Sequence, residues 1–188
     1  LGLNCEVLSY PAIIAAYAAC NDYGLDSVSL GGAIGFAMEC CERNLLDSAR
    51  IARDYNGLRL EWGSEEALLQ AVEIVAERRG WLGDLLADGV RAASRQIPGS
   101  EPYALHVKGM ELPGYDPRAY WSMALAYATS CRGACHLKSW TLDSEYSGAV
   151  DRASTEGKAA LVVQSENRRS VIDSALVCTF TGKAIVEP

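Results

Sequence analysis

Ser64-Glu-Glu-Ala-Leu-Leu-Gln-Ala-Val-Glu-Ile-Val-Ala-Glu-Arg-Arg-Gly80 repeats its apolar residues Leu68, Leu69, Val72, Ile74 and Val75 at intervals of three and four. That spacing lines one face of an α-helix, with Ser64 ahead of two glutamates as its N-terminal cap and Gly80 as its stop. The same reading extends upstream. Pro11 suits the first turn of a helix running through Ile13, Ile14, Tyr17 and Ala18 to Cys20, with Ser9 as N-cap and Gly24 as left-handed C-cap. Ser29 is expected to cap a second helix over residues 30–43, whose Gly31, Gly32, Ala33, Gly35 and Ala37 leave a thin face suited to close approach of a backbone or a ligand.

Downstream, a helix is expected over residues 82–94, followed by a linker at 96–100 containing Pro98 and Gly99. A domain boundary placed there gives helical units 1–99 and 100–188. Residues 103–118 read as irregular, partly extended chain. Asp116 and Pro117 are expected to open a helix ending near residue 129, and residues 130–154 form a long loop of the kind that is more often functional than structural. A last helix is expected from about Thr155 through Ile172, ending near Leu176. Strand signals are confined to 58–62, 104–107 and 179–180. The fold class is therefore mainly α and multihelical.

Seventeen Lys plus Arg against 24 Asp plus Glu give the 188-residue chain a net charge of −7, and no basic run exceeds the pairs Arg78-Arg79 and Arg168-Arg169. A nucleic-acid partner, which would need a basic face, is not expected. At 49% hydrophobic and 22% charged the composition is that of a globular chain. The apolar stretch 7–20 is too short to cross a bilayer, so no membrane partner is expected. Leu1 follows no initiator Met or signal peptide, and the chain reads as cut from something longer. Seven cysteines, several inside apolar helical patterns, fit a reducing cytoplasm better than a disulfide framework.

Of two histidines, His136 in Thr129-Ser-Cys-Arg-Gly-Ala-Cys-His136 is the better catalytic candidate: an imidazole that exchanges protons near neutral pH follows an arginine and a flexible glycine. Its ordinary role would be a structural histidine bonded to a carbonyl. His106, beside Lys108-Gly109, ranks second. Cys131, Cys135 and His136 do not complete a zinc site, which needs four donors. Gly31-Gly32-Ala-Ile-Gly35 lacks the sequence of a phosphate loop and reads as helix packing. Asn21, Asp22 and Asp26 around Gly24 are more polar groups than a tight turn needs, which suggests a ligand with N–H donors. Asp173 to Cys178 ends the last helix with a carboxylate and a thiol.

In order, Asn21-Asp-Tyr-Gly-Leu-Asp26 with residues 27–31, Lys108-Gly-Met-Glu111 with Pro113-Gly-Tyr-Asp-Pro-Arg118, Ala128-Thr-Ser-Cys-Arg-Gly-Ala-Cys-His136, and Asp173 to Phe180 resemble the carboxyl-terminal region of the tungsten-containing aldehyde:ferredoxin oxidoreductases. The resemblance implies two all-α units, the end of family domain 2 and the start of domain 3. They close over a tungsten or molybdenum ion held by two pterins, beside a four-iron four-sulfur cluster, with an amino-terminal β domain as base. It implies that Asn21, Asp22, Gly24, Leu25 and Asp26 contact one pterin and that Asp173 and Val177 contact the other. Cys178 would be a cluster ligand, and His136 would bond the substrate oxygen or relay a proton.

Asn21 stands where the family motif has Asp, Leu176 where it has Gly, and Cys131 where a Pro precedes Arg132-Gly133. The CxxCxxxC triplet, the active-site glutamate and the β domain would lie upstream. The implied activity is oxidation of aldehydes to carboxylic acids with ferredoxin as acceptor, in a parent enzyme whose isolated fragment would be inactive. The alternatives are a paralogue that reduces a thioester-linked aromatic ring and a non-catalytic helical binding module.

Overall fold

The computed structural model describes residues 1–181. Helix α4, Glu65–Ala76, begins as its sequence dictates: the Ser64 hydroxyl accepts from the Ala67 N–H at 3.1 Å. Its buried face, Leu68, Ala71, Val72 and Val75, packs between α1 (Tyr10–Tyr23) and α5 (Gly80–Ala87). Gly24 ends α1 at φ 71°, and the Leu25 N–H reaches back to the Cys20 carbonyl at 2.8 Å.

Helix α2, Ser27–Glu42, is the most buried element of this first unit. Its thin face receives backbone: a Cβ on Gly35 would lie 2.5 Å from the Asn4 carbonyl oxygen, and one on Gly31 would lie 2.7 Å from the Leu1 Cα. The glycines therefore admit the 3-10 turn Gly2–Cys5 against the helix. Its cap is Asp26 rather than the expected Ser29. The Asp26 carboxylate accepts from the Val28 and Ser29 N–H groups at 2.7 and 3.2 Å, because the helix starts three residues earlier than apolar spacing alone suggests.

Four further expectations are corrected. The helix over 82–94 is two helices, α5 and α6 (Val90–Ser94), broken at Gly89 with φ 82°. Residues 58–62 keep the alternation of a strand, with Leu58 and Leu60 buried, but among the described residues the strands are β1 (His106–Val107) and β2 (Met110–Glu111), an antiparallel hairpin. Asp116 and Pro117 form a turn, and helix α7 begins later, at Trp121–Thr129. Residues 179–180 belong to a 3-10 turn.

The compact units are Leu1–Gly114 and a second beginning at Tyr115, so the hairpin groups with the first. Glu111 contributes to this grouping. It is 4% exposed, accepts from the Val90 N–H at 2.7 Å and lies against Gly32, which ties the hairpin to the first unit.

In the second unit, α7 packs on α8 (Leu142–Tyr146) and α9 (Lys158–Ser174). Between them Glu145 and Lys158 form a buried ion pair. Glu145 also accepts from the Ser122 N–H at 3.1 Å and the Ser122 hydroxyl at 2.5 Å, and Lys158 donates to the Asp151 carbonyl at 2.6 Å. Helices α3 (Ser48–Asp54) through α6 complete the first unit. No helix among the described residues is long and apolar enough to cross a membrane.

Candidate functional site

His136 lies on a loop whose shape its sequence specifies. Ser130 closes α7, and its hydroxyl accepts from the Arg132 N–H at 3.2 Å. Gly133 then turns the chain at φ 83°, and the Cys135 N–H bonds the Gly133 carbonyl at 2.7 Å. A side chain at Gly133 would disfavour that left-handed conformation. Ala134 and Cys135 are buried beneath the turn and His136 is half-buried above it.

Around His136 gather two other rings. Tyr115 lies 5.7 Å away by ring centroids at 58°, and Trp140 lies 6.0 Å away at 64°; Tyr115 and Trp140 meet edge to face at 5.2 Å and 86°. These rings line a cavity of about 790 Å³ whose opposite wall is α9, with Arg168 and Arg169, followed by Thr179 and Phe180. A cavity of this size suits a small organic molecule. Behind it the Tyr127 hydroxyl is buried, and burial raises its pKa, with Tyr115 and Cys135 adding to the rise.

The segment from Asp173 to Cys178 reaches the same region of the second unit. The Asp173 carboxylate stands 4.0 Å from Lys138, two residues beyond His136. Leu176 is left-handed at φ 55° and 93% exposed, Val177 is half-buried, and Cys178 is exposed immediately before the cavity residues Thr179 and Phe180.

Asn21, Asp22, Gly24, Leu25 and Asp26 belong to the first unit. Asn21, Asp22 and Gly24 are exposed at the end of α1, and a Cβ on Gly24 would meet nothing within 4 Å, so its glycine is needed for φ alone. Asp26 is occupied as the cap of α2. His106 sits in the hairpin, where its Nδ1 accepts from the Gly109 N–H at 3.3 Å.

Tyr115, Trp140 and Arg169 were not singled out by sequence. The available signal was an aromatic four residues beyond His136 and a double arginine on the polar side of a helix.

The donor set bears on any metal group. Among the described residues no three His, Cys, Asp or Glu side chains gather as a metal would require. Cys5, Cys20, Cys40 and Cys41 are buried, and burial pushes Cys5 up to about 11 and Cys40 up to about 12, so they stay protonated. Cys131 and Cys178 are exposed. An exposed thiol after α9 fits a single thiolate ligand, and the remaining ligands of a cluster are not supplied by the described residues.

These features define a class: a multihelical, two-unit protein with a histidine-bearing aromatic pocket. The family model for aldehyde ferredoxin oxidoreductase, domains 2 & 3, matches residues 1–188, and the chain belongs to that family. It is 35% identical over 185 residues to the tungsten-containing aldehyde ferredoxin oxidoreductase of Pyrococcus horikoshii, with 96% of this chain and 30% of the relative covered. The Thermococcus kodakarensis protein of the same name is 32% identical over the same share of each chain. A WOR-like subunit of an aliphatic sulfonate oxidoreductase from Pyrococcus furiosus is 27% identical over 97% of this chain and 27% of its own. The chain thus spans about 30% of the length of the tungsten enzymes it matches.

Proposed function

We propose that this chain forms the pocket side of a tungsten- or molybdenum-dependent bis-pterin oxidoreductase that converts aldehydes to carboxylic acids and passes electrons through a four-iron four-sulfur cluster to ferredoxin in the cytoplasm. The observation that carries the reading is the shared cavity: the loop bearing His136 and the segment following Cys178 line it together. When bound, the metal and cluster supply two-electron oxidation and one-electron transfer. The chain's residues do the rest. Tyr115 and Trp140 pack the substrate and exclude water, and His136 donates to the substrate oxygen as negative charge develops there.

In the same reading Asn21, Asp22, Gly24, Leu25 and Asp26 present polar groups to one pterin, Asp173 and Val177 approach the other, and Cys178 gives one thiolate to the cluster. Asp26 would serve from its outer carboxylate oxygen, since Oδ1 caps α2. The rest of the parent chain, including an amino-terminal β domain, provides the other ligands, so the 188 residues alone are inactive.

The test is His136→Ala in the full-length, anaerobically purified enzyme. Turnover falls roughly a hundredfold or more, the range for loss of a general acid or oxyanion donor, with metal and iron content unchanged. His106→Ala has a much smaller effect, because that ring serves a hairpin turn. Near-wild-type rates in a fully loaded His136→Ala enzyme would remove the residue from the mechanism.

A further inference from the structure

The cavity of the second unit joins two walls of unlike chemistry. One is aromatic and rigid. Trp140 is held at both ends, its backbone N–H donating to the Ser165 hydroxyl and its indole N–H to the Asp143 carboxylate, each at 2.8 Å. Tyr115 stands edge to face on it. The other wall is the inner side of α9, where Arg168 and Arg169 are half-buried. Among the described residues Arg169 has no carboxylate within ion-pair distance. Asp143, the acid on the cavity wall, is already engaged by the indole.

A cation drawn partly out of water gains from an anion, and a guanidinium prefers one with the planar fork of a carboxylate. Fixed aromatic edges and faces select a flat ring at little cost in ordering.

We propose that this cavity binds a planar aromatic molecule carrying one carboxylate, its ring against Tyr115 and Trp140 and its anion on Arg169. As a binding assignment this stands on the cavity alone. As a substrate assignment, to aromatic aldehydes bearing a carboxylate, it rests on the function proposed above. The volume of about 790 Å³ accommodates a substituted benzene ring with room for its solvation.

Two measurements separate these claims. In the first, the 188-residue chain is titrated by calorimetry with benzoate, benzyl alcohol and propionate. Benzoate binds at least tenfold more tightly than either of the others, because only it uses both walls. Arg169→Gln weakens benzoate binding about tenfold, the range for losing a charged hydrogen bond. Arg169→Lys retains part of the affinity, and circular dichroism confirms that both variants fold. Trp140→Ala reduces the preference of benzoate over propionate. Absence of benzoate binding, equal binding of benzyl alcohol or propionate, or indifference to Arg169→Gln each overturns the assignment.

In the second, the full-length loaded enzyme is given 4-formylbenzoate and benzaldehyde. The kcat/KM ratio favours the carboxylate-bearing aldehyde, and Arg169→Gln lowers that ratio about tenfold. Turnover of both aldehydes without preference overturns the substrate assignment while leaving aldehyde oxidation intact. Benzoate binding with no turnover of any aldehyde keeps the pocket assignment and counts against the oxidoreductase reading.

Discussion

The two compact units fill their interiors with different materials. The first, Leu1–Gly114, has a continuous apolar core in which Ile34, Met38, Ile51, Leu68, Leu82 and Leu86 are buried to 2% exposure or less. In the second, Met123, Val162 and Ile172 share the interior with Ser122, Thr141, Glu145 and Lys158. Apolar contact is non-directional and tolerates rearrangement at constant volume, whereas buried polar groups hold one geometry and are costly to leave unmatched. The candidate pocket lies in the unit built the second way. Asp143 and Ser144 on its wall directly precede Glu145, so the buried pair that locks α8 to α9 also fixes the cavity.

The sharpest way to break this contrast is to remove half of the pair. Lys158→Met leaves Glu145 buried and uncompensated, and is expected to destabilise the second unit by about 3–5 kcal/mol in urea unfolding. Glu145→Gln with Lys158→Met should cost clearly less than the sum of the single changes, because an uncharged amide can still accept from the Ser122 N–H. Additive losses would mean that the pair contributes no coupling.

A smaller effect probes the first unit. Gly35→Ala forces a methyl against the Asn4 carbonyl, and about 1–3 kcal/mol should be lost as the 3-10 turn is pushed off α2. A melting temperature equal to that of the parent would show that the thin face does not need its glycine.

Helix ends provide the next scale. Asp26→Ala removes a cap that accepts two N–H groups and should cost about 1 kcal/mol, while Ser29→Ala should stay within about 0.5 kcal/mol. At the end of α9, Leu176 adopts a left-handed conformation that glycine adopts without penalty. Leu176→Gly should therefore stabilise the second unit by roughly 0.5–1 kcal/mol, net of the added chain entropy. Calorimetric melting of each variant decides the sign.

The least perturbing comparison uses thiol reactivity. Brief alkylation of the native chain, read by mass spectrometry, should label Cys131 and Cys178 in the second unit and spare Cys5, Cys20, Cys40 and Cys41 in the first. Burial both blocks access to those four and raises their pKa values, which suppresses the reactive thiolate. Early labelling of Cys40 would show that the apolar core opens more readily than its packing implies.

The fold was legible in the sequence where the decisive interactions are local. The cap at Ser64, the apolar face of α4, the start of α1 at Ser9 and Pro11, and the left-handed Gly24 all depend on residues within a few positions of one another. The glycine turn before His136 was legible for the same reason. The fold was not legible where a local signal is compatible with two outcomes. Asp116 with Pro117 can open a helix or close a turn, and the choice fell to a turn in which Asp116 accepts from the Arg118 N–H at 2.8 Å and pairs with its guanidinium at 2.6 Å. Leu58 and Leu60 alternate as in a strand, yet a strand exists only when a neighbour supplies the ladder.

By itself, then, the order of residues determined the helical class, the helix starts at Ser9 and Ser64 and the left-handed ending at Gly24, because caps, glycine conformations and apolar periodicity act over one or two turns of chain. Tertiary structure decided the break at Gly89, where the Glu111 carboxylate comes within 2.6 Å of the place a Cβ would occupy, and with it the boundary after Gly114. It also decided that Tyr115, His136, Trp140 and Arg169 share one cavity. Those groups are brought together by the packing of α7, α8 and α9 around a buried ion pair, a contact between distant residues that no local pattern encodes.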